Sequence, residues 1–307
     1  MNKREKLAYA HLLDVEKAVL TALEKVYQRA LRDINERIKL LQADELLQNR
    51  VYRKQQQEAL KGQIEAILER LHTQEYETIE EYLKESYTDG FLVTMYSLHQ
   101  QDLPLTFPIA QDQVVKALVT NSAISEGLYK SLGVDTKHLR DVIAQEISRG
   151  IAANASFSEM ARNVANQAGV TMKRARTIVI TESHRIQEEA SQDARTEAKK
   201  QGCNIVKQWD ATMDHKTRDS HRRLDGQIRD VDEPFEIDGK TAMHPGGFGR
   251  AEEDCNCRCV ALTRAKWALD EKELETLKER AEHWGLDKTD SFEEFKRKYL
   301  DVTKEQQ

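Results

Sequence analysis

The stretch "LLDVEKAVLTALEKVYQRALRDINERIKLL", residues 12–41, carries apolar side chains at spacings of three and four. That spacing places them on one face of a long α-helix. A second run of the same period follows at residues 60–83, and no proline precedes Pro104. The apolar positions of the two runs are Leu12, Val15, Val19, Ala22, Val26, Ala30, Ile34, Ile38 and Leu41, then Leu60, Ile64, Ile67, Leu71, Ile79 and Leu83.

These two apolar stripes predict a long helical hairpin over residues 1–100. The stripes could pack on each other, or one of them could dock on a partner helix or coiled coil. An exposed stripe of that length would promote aggregation, so the sequence favours packing of the two stripes on each other.

The composition agrees with a helical fold. Charged residues make up 33% of the 307 positions, whereas the chain holds only 4 prolines and 13 glycines. Such a composition is typical of helix-rich proteins. The predicted fold class is therefore mainly α, with a helical middle and a small α+β module near the C-terminus.

The charge balance limits nonspecific attraction of nucleic acid. The 53 acidic residues exceed the 47 basic ones, for a net charge of -6. Any DNA contact must then be local, and basic residues do cluster at 173–185 and 218–223. The first cluster is interleaved with glutamates, so it fits a salt-bridged helix face better than a phosphate-binding patch.

The N-terminal residues lack the pattern of a secretion signal. Asp14, Glu16 and Lys17 interrupt their only apolar run, and no stretch approaches the roughly 20 apolar residues that a membrane span needs. We therefore expect synthesis in the cytoplasm and no membrane partner.

Glycine and proline residues, together with changes in sequence pattern, mark the boundaries of four predicted segments. Gly90, Pro104 and Pro108 indicate a junction after the hairpin, and helical periodicity resumes at 111–202. There, Ser156 or Ser158 could cap one helix, and a second long helix would end at Gly202. The four segments are the arm at 1–100, the helical middle at 101–202, a β and loop module at 203–265, and charged helices at 266–307.

Three of the four cysteines alternate in "RAEEDCNCRC", residues 250–259. On an extended strand, Cys255, Cys257 and Cys259 would point to one side and offer thiolates to a zinc ion. Zinc sites usually use cysteine pairs with two to four residues between them, so a Cys257–Cys259 disulfide or free thiols in a reducing cytoplasm are also open. The histidines that could complete such a site are His215, His221 and His244.

The segment "WDATMDHKTRDSHRRLDGQ", residues 209–227, is rich in aspartate and histidine. Such residues could form an acid/base pair or a hydrolytic metal site. Aspartates also bind turn backbones, and the "LDG" tripeptide favours a tight turn with Gly226 at positive φ. The chain has no H-E-x-x-H, Walker lysine loop or G-x-S-x-G elbow. From this we expect no catalytic residues and no enzyme.

The order of motifs resembles a known family. The run "ARTIVITESHRIQEEASQDA", then the 209–227 segment, then "EPFEI", "HPGG" and "NCRC", is similar to the phage Mu F-like, or phage head morphogenesis, minor capsid proteins. The resemblance covers roughly residues 110–262. It implies a low-copy minor head protein of a tailed phage, inside the head at the portal vertex, that acts in procapsid assembly or in genome packaging or ejection.

The implied partners are the portal protein, a scaffold or major capsid protein, and phage DNA. The resemblance implies no established enzymatic activity. The alternatives from the residues are a metal-dependent hydrolase or nuclease that uses the Asp, His and Cys set, and a DNA-binding head protein.

The family motif maps onto this chain position by position. The matching residues are Thr181, Glu182, Trp209, Asp210, Asp214, Thr217, His221, Leu224, Asp225, Gly226, Asn256, Cys257, Arg258 and Cys259. Many relatives have a cysteine in place of Arg218, and a His-Pro pair in place of Asp254 and Cys255. If relatives bind a metal through that fuller set, this chain keeps His221, Cys257 and Cys259 in register, with Cys255 as a replacement ligand or a spectator.

Overall fold

The computed structural model describes residues 3–42, 50–103, 105–110, 113, 117, 137–139, 141–143, 145, 157–266, 289 and 291–305. Most of residues 111–156 of the helical middle predicted at 101–202, and residues 267–288 of the charged helices predicted at 266–307, lie outside the described residues. The described part is mainly α with a small β module, which confirms the predicted fold class. Its long helices are α1 (Lys3–Gln42), α2 (Arg50–His99), α3 (Phe157–Lys200) and, near the C-terminus, the shorter Phe292–Glu305.

Packing divides the chain into two compact units. One comprises residues 1–16, 82–126 and 180–307, and the other comprises 17–81 and 127–179. This division differs from the four consecutive segments predicted from the sequence. A helix of 40 to 50 residues is about 60–75 Å long, longer than one small domain is wide, so its two ends lie in different units.

The two N-terminal helices pack on each other through their apolar stripes. In the second unit, the Tyr27 hydroxyl donates to Glu75 Oε1 at 2.7 Å, the pairing of an antiparallel hairpin. All six predicted apolar positions of α2 are buried. Along α1 the buried stripe passes through Leu20, Leu23 and Tyr27, whereas the predicted Ala22 is exposed. The bulkier neighbours take the core positions because they bury more apolar area.

The predicted break at Gly90 is wrong, because α2 continues through it to His99. A Cβ at Gly90 would lie 2.2 Å from the Gln187 carbonyl oxygen of α3, and the Ser191 hydroxyl donates to the Gly90 carbonyl at 2.8 Å. The glycine therefore allows two helix backbones to touch. The residues that follow, 91–98, are all buried, as expected of a helix that is apolar on every side.

The helix α3 replaces the two helices predicted between Ser156 and Gly202. It runs unbroken through Gly169, whose cost of about 1 kcal/mol in a helix is offset by buried neighbours such as Val164, Ala168 and Ala175. Its predicted end is confirmed, since Gly202 adopts φ +90° and Cys203 N donates to Ala198 O.

The module after α3 is a small antiparallel assembly. Its elements are β1 (Ile205–Asp210), α4 (Asp219–Leu224), β2 (Ile228–Asp230), β3 (Phe235–Ile237), β4 (Lys240–Ala242), α5 (Ala251–Asp254) and β5 (Val260–Ala265). One sheet has the order β2-β1-β5, and β3 pairs with β4. The β3–β4 turn uses Asp238 and Gly239, both at positive φ, as the twist of a two-residue hairpin requires. The helix Phe292–Glu305 is α6.

Candidate functional site

The core of the module is built around Trp209, the fifth residue of β1. Its ring is fully buried and meets Phe235 and His221 edge-on, with centroids 5.1 and 5.6 Å away. The "LDG" turn closes on this strand, because Gly226 N donates to Trp209 O at 2.8 Å and Asp225 Oδ1 accepts from Ala211 N at 2.8 Å. Gly226 has φ +76°, which confirms the predicted tight turn.

His221 is brought into this core by the short helix α4. The side chain is buried, and its Nδ1 lies 3.2 Å from Cys259 Sγ and 3.6 Å from Cys257 Sγ. Donor atoms of these three residues all lie within 4.8 Å of one another. Two thiols and one imidazole therefore converge on a single buried point.

Cys255 does not join this cluster. The segment 255–259 is not a strand, since Cys255 follows α5 directly and Asn256 adopts a left-handed φ of +53°. That reversal separates Cys255 from the other two thiols, and it leaves Cys255 half-buried with the Arg218 guanidinium donating to its carbonyl at 2.5 Å. The expectation that all three thiols share one face of a strand is wrong.

The two buried thiols differ in acidity. Hydrogen bonding between them, together with burial, raises the pKa of Cys257. The same contact lowers the pKa of Cys259, against the effect of burial, and the Trp209 indole and the Thr212 amide lower it further. Cys259 is therefore the more acidic of the two thiols, chiefly because of its hydrogen bond with Cys257.

Behind His221 lies a buried carboxylate that the sequence did not single out. Glu253 Oε2 is 3.2 Å from His221 Nε2 and accepts from Ser220 at 2.9 Å, while Oε1 accepts from Lys240 at 2.5 Å. Burial raises the pKa of Glu253, but the bonds from Lys240 and Ser220 outweigh it, and the net pKa lies below its ordinary value. The carboxylate thus stays charged and faces the imidazole.

The helix α3 covers the open edge of β5. The Thr181 hydroxyl accepts from Asn256 N at 3.1 Å, so two parts of the family motif meet directly. Further along α3, Glu188 Oε2 accepts from Ala261 N at 2.9 Å, and Arg195 donates to Ala261 O and Thr263 Oγ1. These contacts supply the hydrogen bonds that an edge strand otherwise lacks.

The Asp214 carboxylate fastens the loop after β1 to the "NCRC" segment. It forms a two-pronged ion pair with the Arg258 guanidinium, at 2.6 and 2.8 Å, and accepts from Lys216 N at 2.9 Å. The Arg258 hydrogen bonds, followed by that amide, hold the pKa of Asp214 well below its ordinary value. Asp214 and Asp225 therefore bind turn backbones, as one of the two readings of this segment predicted.

The other residues singled out from the sequence lie in or near the module core and on α3. Leu224 is fully buried in the module core, Asp210 ends β1 opposite Val260, and Glu182 is buried on α3 beside Arg185 Nε at 3.0 Å. His215 is exposed, and His244 Nδ1 contacts Pro245 O at 3.0 Å. Neither histidine belongs to the cluster of His221, Cys257 and Cys259 among the described residues.

A further histidine, His184, lies on α3 near the Cys257 thiol and was not singled out from the sequence. Its ring acts against the rise in the pKa of that thiol, and its Nε2 atom is buried without a hydrogen-bond partner in the described structure. A signal was present, since His184 lies one helical turn after Thr181 within the motif "TESHR". Spacing alone could not place it beside residues of the later module.

The motifs that meet in this site, on α3 and in the small Trp, His and Cys module, fall within the segment that matches a family of phage proteins. The chain belongs to the Phage Mu protein F like protein family, whose sequence profile matches residues 137–262. It is 30% identical over 257 residues to "Minor head protein GP7" of Bacillus phage SPP1, and the match covers 78% of this chain and 80% of that protein. The resemblance drawn from the motifs is thereby confirmed.

A second relative is named as an enzyme. The chain is 32% identical over 243 residues to "NAD(+)--arginine ADP-ribosyltransferase EFV" of Enterococcus faecalis (strain ATCC 700802 / V583). The match covers 78% of this chain and about half of that protein. This relative contradicts the prediction that the chain is not an enzyme, which rested on the absence of known catalytic motifs and on a resemblance to proteins without established activity.

No solved structure matches the chain. Within the described residues, no helix is both long enough and apolar enough to cross a membrane.

Proposed function

We propose that this chain is a minor head protein of a tailed phage that binds the portal protein inside the head and acts in procapsid assembly. The observation that carries the proposal is the match to GP7, because it extends over 78% of this chain and 80% of a protein named for its place in the head. The match exceeds the family segment 137–262, so it includes residues beyond the module.

The N-terminal arm is the part that we assign to portal binding. Its apolar stripes are buried against each other, so a partner would meet the outer face of the helices rather than a free stripe. Three leucines of α1 are exposed, Leu7 at 54% and Leu13 and Leu40 at 63% each, and we select the two most exposed for substitution. In the module, Met213 is similarly exposed at 60% and provides a matched reference.

The test is retention of the full-length chain on immobilised portal protein from the same phage. We expect the native chain to be retained, Leu13→Glu and Leu40→Glu to reduce retention at least tenfold, a loss of about 1.4 kcal/mol, and Met213→Glu to leave it unchanged. Failure of the native chain to bind would overturn portal binding. Loss through Met213→Glu alone would move the contact to the module.

Contacts in the described structure count against the other two functions considered from the sequence. Many basic side chains that could bind DNA are paired with carboxylates: Lys199 with Asp232, Arg223 with Asp238, Arg258 with Asp214, and Lys266 with Asp230. Two of the aspartates in the segment considered for hydrolysis, Asp214 and Asp225, bind turn backbones. We extend the same proposal to a role in genome packaging and ejection. We also extend it to a scaffold or major capsid protein as a further partner.

DNA binding has its own measurement. Retention of phage DNA on the purified chain should be weak at low salt, because the net charge is -6 and several basic side chains, Arg223 of the second cluster among them, are paired with carboxylates. Strong retention that falls steeply with salt would instead indicate several phosphate contacts and favour the DNA-binding function.

A further inference from the structure

The spacing of the buried His and Cys donors fits a tetrahedral metal ion. Zinc binds sulfur at about 2.3 Å and nitrogen at about 2.05 Å, so two such ligands at the tetrahedral angle lie about 3.6 Å apart. In this structure, His221 Nδ1 is 3.2 Å from one sulfur and 3.6 Å from the other. Little movement is needed to place a zinc ion between them.

The donor types point to the same metal. Thiolate and imidazole are soft or borderline ligands that select zinc over calcium or magnesium. A thiolate pair with one imidazole provides three of the four ligands of a structural zinc site.

We assign the fourth ligand to His184, whose nitrogens lie outside the cluster of the other three donors in this structure and would have to move to reach the ion. It lies on α3 near the Cys257 thiol, and its buried Nε2 has no hydrogen-bond partner in the described part of the chain. A buried imidazole nitrogen without a partner is costly, and coordination to a metal would satisfy it. Cys255, the replacement ligand considered from the sequence, lies outside the cluster because of the turn at Asn256.

The surroundings of His221 support coordination through Nδ1. Its opposite nitrogen, Nε2, faces the charged Glu253 carboxylate at 3.2 Å, and Lys240 and Ser220 hold that carboxylate in place. Zinc-binding histidines commonly direct their second nitrogen at such a carboxylate, which fixes the ring and strengthens the ligand.

We propose that His184, His221, Cys257 and Cys259 bind one zinc ion in a closed, structural site. The ion connects three segments that are distant in sequence, namely α3, α4 and the loop before β5. It thereby fastens the motif-bearing helix to the module. The proposal is independent of portal binding, because it concerns how this unit is held together and requires no partner.

Metal content of the purified full-length chain is the first test. After metal-free purification and addition of zinc, we expect about one tightly bound zinc per chain, and cobalt in its place should give the intense visible bands of a tetrahedral thiolate site. Less than about a tenth of an equivalent of zinc, or an octahedral cobalt spectrum, would overturn the proposal.

Matched variants identify the ligands. Cys257→Ser and Cys259→Ser should abolish stoichiometric binding, His184→Gln should weaken zinc affinity at least tenfold, and Cys255→Ser should bind as the native chain does. Circular dichroism checks that each variant is folded, and the cobalt spectrum of the native chain decides the case if a cysteine variant does not fold. Native affinity in His184→Gln, or loss of zinc in Cys255→Ser, would refute the assigned ligand set.

Discussion

Gly90 has only hydrogen where other residues carry a Cβ, and this brings the backbones of α2 and α3 into contact. The Gln187 carbonyl occupies the space of the missing side chain, and the Ser191 hydroxyl binds the Gly90 carbonyl. A glycine near a helix end in the sequence is usually a stop signal. Only the tertiary contact shows that this one serves helix packing, and for that reason sequence reasoning misplaced it.

Gly90→Ala should destabilise the chain by about 1–3 kcal/mol or more, because the new Cβ would lie 2.2 Å from a backbone oxygen and a helix must shift. Urea unfolding followed by circular dichroism measures the change. Gly62→Ala on the same helix is the control, since a Cβ there meets nothing within 4 Å and helix propensity alone predicts a gain of up to about 1 kcal/mol. Equal effects of the two substitutions would contradict the packing role.

Thr181 shows what a motif residue contributes. Its hydroxyl accepts from the amide of Asn256, a residue that is held in the left-handed region at φ +53°. The resemblance identified both residues as motif positions from sequence, but their contact joins a helix to a loop 75 positions away, and no local pattern encodes that.

Thr181→Val keeps the shape of the side chain and removes the acceptor. We expect a loss of about 1 kcal/mol in the free energy of unfolding and faster amide exchange at Asn256. Thr177→Val is the matched control on α3, because that hydroxyl bonds only within its own helix, to Lys173 O at 3.1 Å. If the two variants unfold alike and exchange at Asn256 is unchanged, the Thr181 contact is not significant for stability.

At the scale of elements, α3 acts as a cover for the sheet. Its side chains Glu188 and Arg195 satisfy the free edge of β5 at Ala261. Hydrophobic periodicity predicted a helix here and correctly placed its end at Gly202. The covering of a strand edge depends on which helix side chains reach the strand backbone, and the hydrophobic period alone does not predict that. The same holds for β1, because the sequence predicts β structure at 203–265 but not the burial of a lysine within it.

Lys207 of β1 is buried and donates to Val231 O at 3.0 Å and Met243 O at 2.8 Å. Burial, reinforced by nearby Arg195, lowers its pKa from 10.5 to about 7. The unfolded chain therefore binds the proton more tightly between pH 7 and 10.5, and this residue adds stability as the pH rises through that window.

Lys207→Met should flatten the rise of the urea midpoint between pH 7 and 10, because methionine does not titrate. Lys216→Met, at an exposed lysine of the same module, should follow the native profile. Parallel pH profiles for the native chain and Lys207→Met would contradict the assigned shift, whatever their offset in stability.

At the scale of the whole molecule, the chain is two compact units built from shared long helices. Hydrophobic spacing predicted the helices and the small module well, since both depend on local periodicity and turn residues. The division into units was not predictable in the same way. It depends on which stretches of a 40- or 50-residue helix find partners, a property of tertiary packing.

Two histidines, His99 and His244, should make the folded chain less stable in acid. A substitution at His99 tests this. Burial beside Phe295, whose ring centroid is 5.1 Å away, lowers the pKa of His99 from 6.5 to about 4, against the hydrogen bond from Nε2 to Leu105 O. Burial likewise lowers the pKa of His244 to about 3. Both groups favour the folded state when neutral, so their contribution is complete above pH 6.5 and is lost as the pH falls to these values.

We therefore expect the urea midpoint of the native chain to decrease as the pH is lowered from 6.5 to 4. The midpoint of His99→Gln should decrease less steeply, since glutamine offers a donor for Leu105 O without taking up a proton. His215→Gln, at an exposed histidine, should retain the native slope. Midpoints recorded at closely spaced pH values separate slope from overall stability. A slope for His99→Gln equal to that of the native chain would show that protonation of His99 does not limit stability in acid.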